Sequence, residues 1–272
     1  MSPPPKTRAA RGRRPRVALF VTCLADLFRP SVAFASLALL KAAGCRVNVP
    51  GAQTCCGQPG YNSGDYPGAR AVAKRVIELF ESADYVVAPS GSCTGMITRH
   101  YPRLLEGEWR ARAQALANRT WEISTFLTEV MPLPQADDTD AALRHRRIAY
   151  HDGCAGLREL GIREQPRALL REQAGVEVLE LDKRDVCCGF GGTFCAKMPE
   201  ISGTMASDKL RDSVDSGADM LVGGDLGCLL SLAGRASREG IDLEFRHVVE
   251  LLYTQRSKSG IGESAARGAG SQ

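Results

Sequence analysis

The feature that most limits how this chain can fold is an internal repeat. "RVALFVTC" (16–23) is matched by "RIAYHDGC" (147–154), "TCCG" (54–57) by "VCCG" (186–189), and "ADYVVAPSGSC" (83–93) by "ADMLVGGDLGC" (218–228). The matches fall in the same order at an offset of about 130 residues, so most of the chain reads as two copies of one unit.

Each copy alternates in the same way. A short apolar stretch opens it, residues 17–21 or 148–150, and reads as a buried strand. A helical segment follows, "SVAFASLALLKAAG" stopping at Gly44 or "REQPRALLREQAG" stopping at Gly175. A second strand, 45–49 or 176–181, runs into the Cys-Cys-Gly step. Next comes "YPGARAVAKRVIELFESA", whose Ala69, Val72, Ala73, Val76, Leu79 and Phe80 share one helical face, or its counterpart "PEISGTMASDKLRDSVDSG". A third strand, "DYVVA" or "DMLVG", leads to the last cysteine, and a helix, "EISTFLTEV" or "FRHVVELL", is expected to close each copy.

This order implies an α/β fold of two pseudo-repeated parallel-sheet units with helical crossovers. The expected divisions are a disordered basic tail (1–15), a first repeat (16–131), a linker (132–146), a second repeat (147–254) and a disordered tail (255–272).

The cysteines give the repeat its chemistry. In a parallel sheet, reactive groups gather at the carboxyl ends of the strands. Cys23 follows the first strand, Cys55-Cys56 the second and Cys93 the third, so one sheet edge should collect all four. Cys154, Cys187-Cys188 and Cys228 repeat the pattern. The spacings are Cys-x31-Cys-Cys-x36-Cys and Cys-x32-Cys-Cys-x39-Cys. Four thiolates in one place can hold a [4Fe–4S] cluster or a tetrahedral zinc ion. Gly57, Gly91, Gly189, Gly191, Gly192 and Gly227 are expected to let backbone approach such a centre and adopt positive φ.

Two further cysteines stand apart. Cys45 opens an apolar strand opposite Val176 in the other half and reads as structural. Cys195, opposite Asn62 or Ser63, reads as a spare thiol or a replacement ligand, the former favoured. His151 and Asp152 precede Cys154, either as donors near the site or as a solvated loop pair. His100, His145 and His247 show no metal spacing, "GFGG" lacks the rest of a phosphate loop, and no Ser, His and Asp arrangement suggests a hydrolase.

Charge narrows the function classes. The net charge is +4, and the first 16 residues hold six basic residues and no acid, so the rest is close to neutral. A basic face for nucleic acid is not expected. No apolar run is long enough for a membrane span, and Arg13-Arg14 is not followed by the apolar core of an export signal. Ten cysteines in a chain large enough to build a core point to metal or redox chemistry rather than a disulfide framework.

The stretches "CLADLFRPSVAFASLALLKAAGCRV", "TCCGQPGYNSGD", "APSGSC", "CCGFGGTF" and "GDLGC" resemble the CCG cysteine-rich domains. That family includes the cysteine-rich subunit of heterodisulfide reductase and the iron–sulfur subunits of glycolate oxidase and anaerobic glycerol-3-phosphate dehydrogenase. The layout over residues 16–254 is most similar to its lactate-utilization branch. The resemblance implies an iron–sulfur electron-transfer subunit of a cytoplasmic complex oxidising L-lactate to pyruvate. It implies companion subunits, one of them ferredoxin-like, and one or two [4Fe–4S] clusters. The cluster role carries over to Cys23, Cys55, Cys56, Cys93, Cys154, Cys187, Cys188 and Cys228.

One departure bears on the chemistry. The heterodisulfide reductase pattern ends each set in Cys-x-x-Cys, whereas this chain has "CTGM" and "CLLS". Four ligands per set fit an ordinary [4Fe–4S] cluster better than the unusual non-cubane cluster of that enzyme, and zinc at one set stays open. A thiol–disulfide redox enzyme and a structural zinc scaffold are the alternatives.

Overall fold

The computed structural model describes residues 13–135, 143–253 and 260–261. Nearly all of both expected tails, and the centre of the expected linker, lie outside the described residues.

Two four-stranded, all-parallel sheets form the frame. The first contains β1 (Arg16–Leu19), β2 (Arg46–Asn48), β3 (Tyr85–Ala88) and β4 (Thr120–Glu122), in the order β2-β1-β3-β4. The second contains β5 (Ile148–His151), β6 (Val178–Leu179), β7 (Met220–Gly223) and β8 (Glu244–His247), in the order β6-β5-β7-β8. Strands β3, β5 and β7 are buried along their whole length, as expected for parallel strands covered on both faces.

The helices follow from local sequence. Pro30 sits in the first turn of the helix Pro30–Ala42, where its missing N–H costs nothing, and Gly44 at φ +85° turns the chain out into β2. Asp65 caps the helix Tyr66–Phe80 by accepting from the Gly68 amide at 3.0 Å. That helix buries Ala69, Ala73, Val76, Ile77 and Phe80, while Val72 and Leu79 lie at the margin.

The fourth strand of each sheet is a correction to the sequence reading. "FRHVVELL" is not helical throughout: Phe245, Arg246 and His247 pair with β7, and only Val248–Leu252 is helix. In "EISTFLTEV", Glu122 belongs to β4 before the helical turns begin. Glu122 and His247 occupy the same place in the two copies. Each ends a strand, and its side chain accepts from an amide of the helix that follows. A polar residue at that junction serves both strand end and helix cap.

The halves pack on each other with approximate twofold character. Helix Pro30–Ala42 lies against Val248–Leu252, and helix Glu164–Ala174 against Ile123–Thr125. One apolar core runs across the junction, with Leu39, Leu40, Phe126 and Leu127 in the same cluster as Leu169, Leu170, Val248 and Leu251. Arg29 and Ser31 both donate to the buried Glu250 carboxylate, at 2.8 Å and 2.6 Å. The backbones of Gly91 and Gly156 pass so closely that a Cβ on Gly91 would lie 2.8 Å from the Gly156 Cα. Among the described residues no helix is long and apolar enough to cross a membrane.

Candidate metal centres

The carboxyl edge of each sheet holds four thiols. Cys23 is the first residue of the helix Cys23–Phe28, just beyond β1. The residue before it, Thr22, has φ +73°, the one positive value at a non-glycine among the described residues. Its hydroxyl accepts from the Ala25 amide at 3.4 Å and caps that helix. A β-branched residue in that region is strained, and such strain collects at functional positions. The matching position in the second half is Gly153.

Cys55 and Cys56 lie in the loop after β2. The Val21 amide donates to the Gln53 side chain at 2.8 Å, which ties that loop to the end of β1. Gly57, at φ +84°, turns its amide back onto the Cys55 sulfur at 3.4 Å. The buried Tyr101 hydroxyl donates to the Cys56 carbonyl at 2.7 Å. Cys93 lies in the helix Gly91–Gly95, capped by Ser90, and its sulfur is 3.4 Å from that of Cys56.

The second copy repeats these devices. Gly189, at φ +82°, donates to the Cys187 sulfur at 3.4 Å, and Ser202 donates to the Gly189 carbonyl at 2.8 Å. Cys154 and Cys187 are 3.9 Å apart. Cys228 lies in the first turn of the helix Leu226–Glu239.

The thiols touch in sequence: Cys23 with Cys55, Cys55 with Cys56, Cys56 with Cys93. Cys154, Cys187, Cys188 and Cys228 form the same chain. Each set has an inner buried pair, Cys56 with Cys93 or Cys188 with Cys228, and an outer half-buried pair.

Crowding splits the proton affinities. Hydrogen bonds from Cys23 and then Cys56, with the Gly57 amide adding to them, pull Cys55 down to about 2. Cys187 is pulled down to about 2 by Cys154 and then Cys188. Their neighbours Cys23, Cys56, Cys154 and Cys188 are pushed up by the same contacts and by burial.

The donor set fits a soft metal centre. All ten cysteines are free, the four sulfurs of each set follow one another in a chain of contacts along the sheet edge, and amide N–H groups already face the outer sulfurs.

Not every expected glycine plays the expected part. Gly57, Gly189, Gly191 and Gly192 have positive φ. Gly91 and Gly227 do not, and are needed for space: a Cβ on Gly91 would strike Gly156, and one on Gly227 would lie 2.4 Å from the Phe190 ring. Cys45 is buried in the core, where desolvation pushes its thiol up to about 11. The Cys195 thiol donates to its own loop at the Gly192 carbonyl, 3.1 Å away.

The pair His151 and Asp152 is not a solvated loop. His151 ends β5 and is 1 % exposed. Neither of its ring nitrogens has a hydrogen-bond partner. One of them lies with the Cys188 and Cys228 sulfurs, all within 4.8 Å of one another. Burial, and then the nearby Lys209 ammonium, hold the imidazole down to about 4. Asp152 pairs with the Arg167 guanidinium through both oxygens, at 2.9 Å and 2.8 Å. Comparing the copies position by position would have singled out His151, because Phe20 stands there in the first half.

The surroundings of the two sets differ. Beside the first is an open cavity of about 320 Å³ lined by Thr22, Cys23, Asp26, Gln53, Thr54 and Cys55. Where the halves meet, Ser90 Oγ and the Ser92 amide donate to Asp225 at 3.2 Å and 2.9 Å. Ser90 and Asp225 are equivalent in the repeat, each just before the helix carrying the last cysteine of its set; Ser90 caps its own helix, whereas the Asp225 carboxylate accepts from the other half instead. The Cys93 amide donates to Ser90 Oγ at 3.2 Å, so a short hydrogen-bonded path joins one cysteine helix to the other.

Two parallel sheets, each with a four-cysteine edge built around a Cys-Cys-Gly turn, define a paired cysteine-rich domain. The chain belongs to the family described as "CCG: Cysteine-rich domain", which matches residues 17–98 and 148–233. Within that family it is 45 % identical to the lactate utilization protein A of Macrococcus caseolyticus over 243 residues, 88 % of this chain and 97 % of that protein. It is 44 % identical to the protein of that name from Geobacillus kaustophilus, covering 87 % of this chain and 98 % of the relative. Among solved structures, a hypothetical protein from Helicobacter pylori shares the fold, with a TM-score of 0.62 at 10 % identity, over 98 % of this chain and 52 % of that one.

Proposed function

We propose that this chain is the iron–sulfur electron-transfer subunit of a cytoplasmic complex that oxidises L-lactate to pyruvate. The observation that carries the reading is the pair of converging four-thiol sets in a chain that is similar along nearly its whole length to proteins named for lactate utilization. Cys23, Cys55, Cys56 and Cys93 would hold one centre, and Cys154, Cys187, Cys188 and Cys228 the other. At least one is a [4Fe–4S] cluster, which supplies one-electron redox chemistry when bound.

The chain's own residues do the rest. The outer sulfurs and the open cavity beside Cys23 and Cys55 give electrons a way in or out. The Gly57 and Gly189 amides donate to sulfur and offset its negative charge. The Ser90–Asp225 contact holds the two cysteine helices in fixed relation. Oxidation of lactate to pyruvate releases two electrons and two protons, and this subunit takes the electrons singly from companions that include a ferredoxin-like subunit.

The test is anaerobic purification with the companion subunits, followed by addition of L-lactate. The iron–sulfur absorbance of this chain should bleach in the complex and not in the isolated subunit. No bleaching in an intact, iron-loaded complex would refute the reading.

A further inference from the structure

The two cysteine sets are not chemically equivalent, and the difference lies in one residue. At the end of the central strand the first half has Phe20, fully buried and packed on Phe80 with ring centroids 5.4 Å apart. The second half has His151 at the same repeat position, equally buried. The first set therefore has an apolar wall, and the second has a fifth donor.

A buried imidazole with both nitrogens unpaired is costly, about 1–3 kcal/mol for each unsatisfied group. The other buried histidine among the described residues, His247, avoids this: its Nε2 lies 3.1 Å from the Pro89 carbonyl, and its Nδ1 accepts from the Val249 amide. His151 has no such partner, and one of its nitrogens lies with the inner sulfurs of Cys188 and Cys228. Metal–nitrogen and metal–sulfur bonds of about 2.0–2.3 Å put neighbouring ligand atoms of a tetrahedral ion about 3.5–3.8 Å apart. The separations at His151 are within small side-chain adjustments of that.

We infer that His151 is a direct ligand of the second metal centre, together with Cys188 and Cys228. The second centre is then a mixed nitrogen–sulfur site, while the first is all sulfur. With five donors for four positions, the imidazole takes the place of one of the outer thiolates, Cys154 or Cys187, and a neutral ligand in place of an anionic one leaves the centre more positive, which raises the potential of an iron–sulfur site. The same donor set suits zinc. This inference rests on the metal-binding part of the proposed function and not on the identity of the metal.

Cobalt(II) alone, titrated anaerobically into the full-length apoprotein, reads the donor set directly. The wild type should take up two equivalents. One should show an all-thiolate spectrum. The other should show a nitrogen coupling in pulsed electron paramagnetic resonance that changes when histidine is labelled with nitrogen-15. In His151→Phe, which installs the residue of the first half, the first equivalent should be unchanged. The second should bind at least about tenfold more weakly and lose the nitrogen coupling. If His151→Phe fails the circular dichroism check for folding, the labelled wild type decides alone. Two all-sulfur cobalt sites in the wild type, or unaltered second-site binding in folded His151→Phe, would overturn the inference, as would failure to bind cobalt. Iron and sulfide analysis of the protein as purified tests the electron-transfer reading separately, so either can fail without the other.

Discussion

The glycine after each cysteine pair can be tested by the same small change in both copies. Gly57 and Gly189 adopt φ +84° and +82°, so alanine at either is strained by about 1–2 kcal/mol. Their surroundings differ. A Cβ on Gly57 would lie 3.2 Å from a Val72 methyl and 3.4 Å from the Val72 Cβ, with the Ala69 carbonyl oxygen at an ordinary 3.7 Å, so a shift of a few tenths of an ångström accommodates it. A Cβ on Gly189 would lie 2.6 Å from the Ser202 carbonyl oxygen and 2.9 Å from the Met205 Cβ. Both belong to the helix Pro199–Asp215, which cannot move without disturbing its core contacts. Overpacking of that kind adds about 1–3 kcal/mol. Gly57→Ala should thus cost about 1–2 kcal/mol and Gly189→Ala about 2–5 kcal/mol. Urea unfolding under reducing, anaerobic conditions, followed by circular dichroism, measures both. Equal losses, or a larger loss for Gly57→Ala, would refute the steric argument.

Further outcomes follow from single contacts. Tyr101→Phe strands the buried Cys56 carbonyl and should lower stability by about 1–3 kcal/mol in the same assay, with faster alkylation of Cys56. Burial raises Glu122 from its ordinary 4.5 to about 6. The native state therefore holds that proton more tightly than the unfolded chain does. The stability this gives is full below about pH 4.5 and is lost as pH rises through about 6, a change of about 2 kcal/mol. Glu122→Gln cannot titrate, so the wild type should lose about 2 kcal/mol relative to it between pH 4 and 7, as read from urea midpoints. A constant difference would count against a buried, titrating carboxyl. Cys56→Ser should abolish the visible signal of the first centre, and Cys45→Ser, remote in the core, should keep it. An unchanged spectrum in Cys56→Ser would remove that residue from the ligand set.

The repeat made the architecture legible. Strand–helix alternation in two copies implied two parallel sheets, and the place of each cysteine just after a strand implied a shared edge. The fourth strands were missed for a physical reason. Thr120–Glu122 is three residues long and Glu244–His247 has charged residues on alternate positions, so neither resembles a buried apolar run. Their pairing is fixed by β3 and β7, which no local pattern reveals. The helix Leu226–Glu239 was hidden because its first turn carries Gly227 and Cys228, read as loop residues around a site. His151 was visible but ambiguous, since its burial against Cys188 and Cys228 depends on how three strands converge. The contact of Ser90 and Ser92 with Asp225 joins residues more than 130 apart and depends on how the halves dock.

The central claim is that these thiols hold an iron–sulfur centre that carries electrons. Iron, acid-labile sulfide and zinc measured together on anaerobically purified full-length protein test it most directly. The account predicts iron and sulfide in equal amounts, at about four of each per chain for one cluster and twice that for two. Colourless protein with zinc and no sulfide would contradict it.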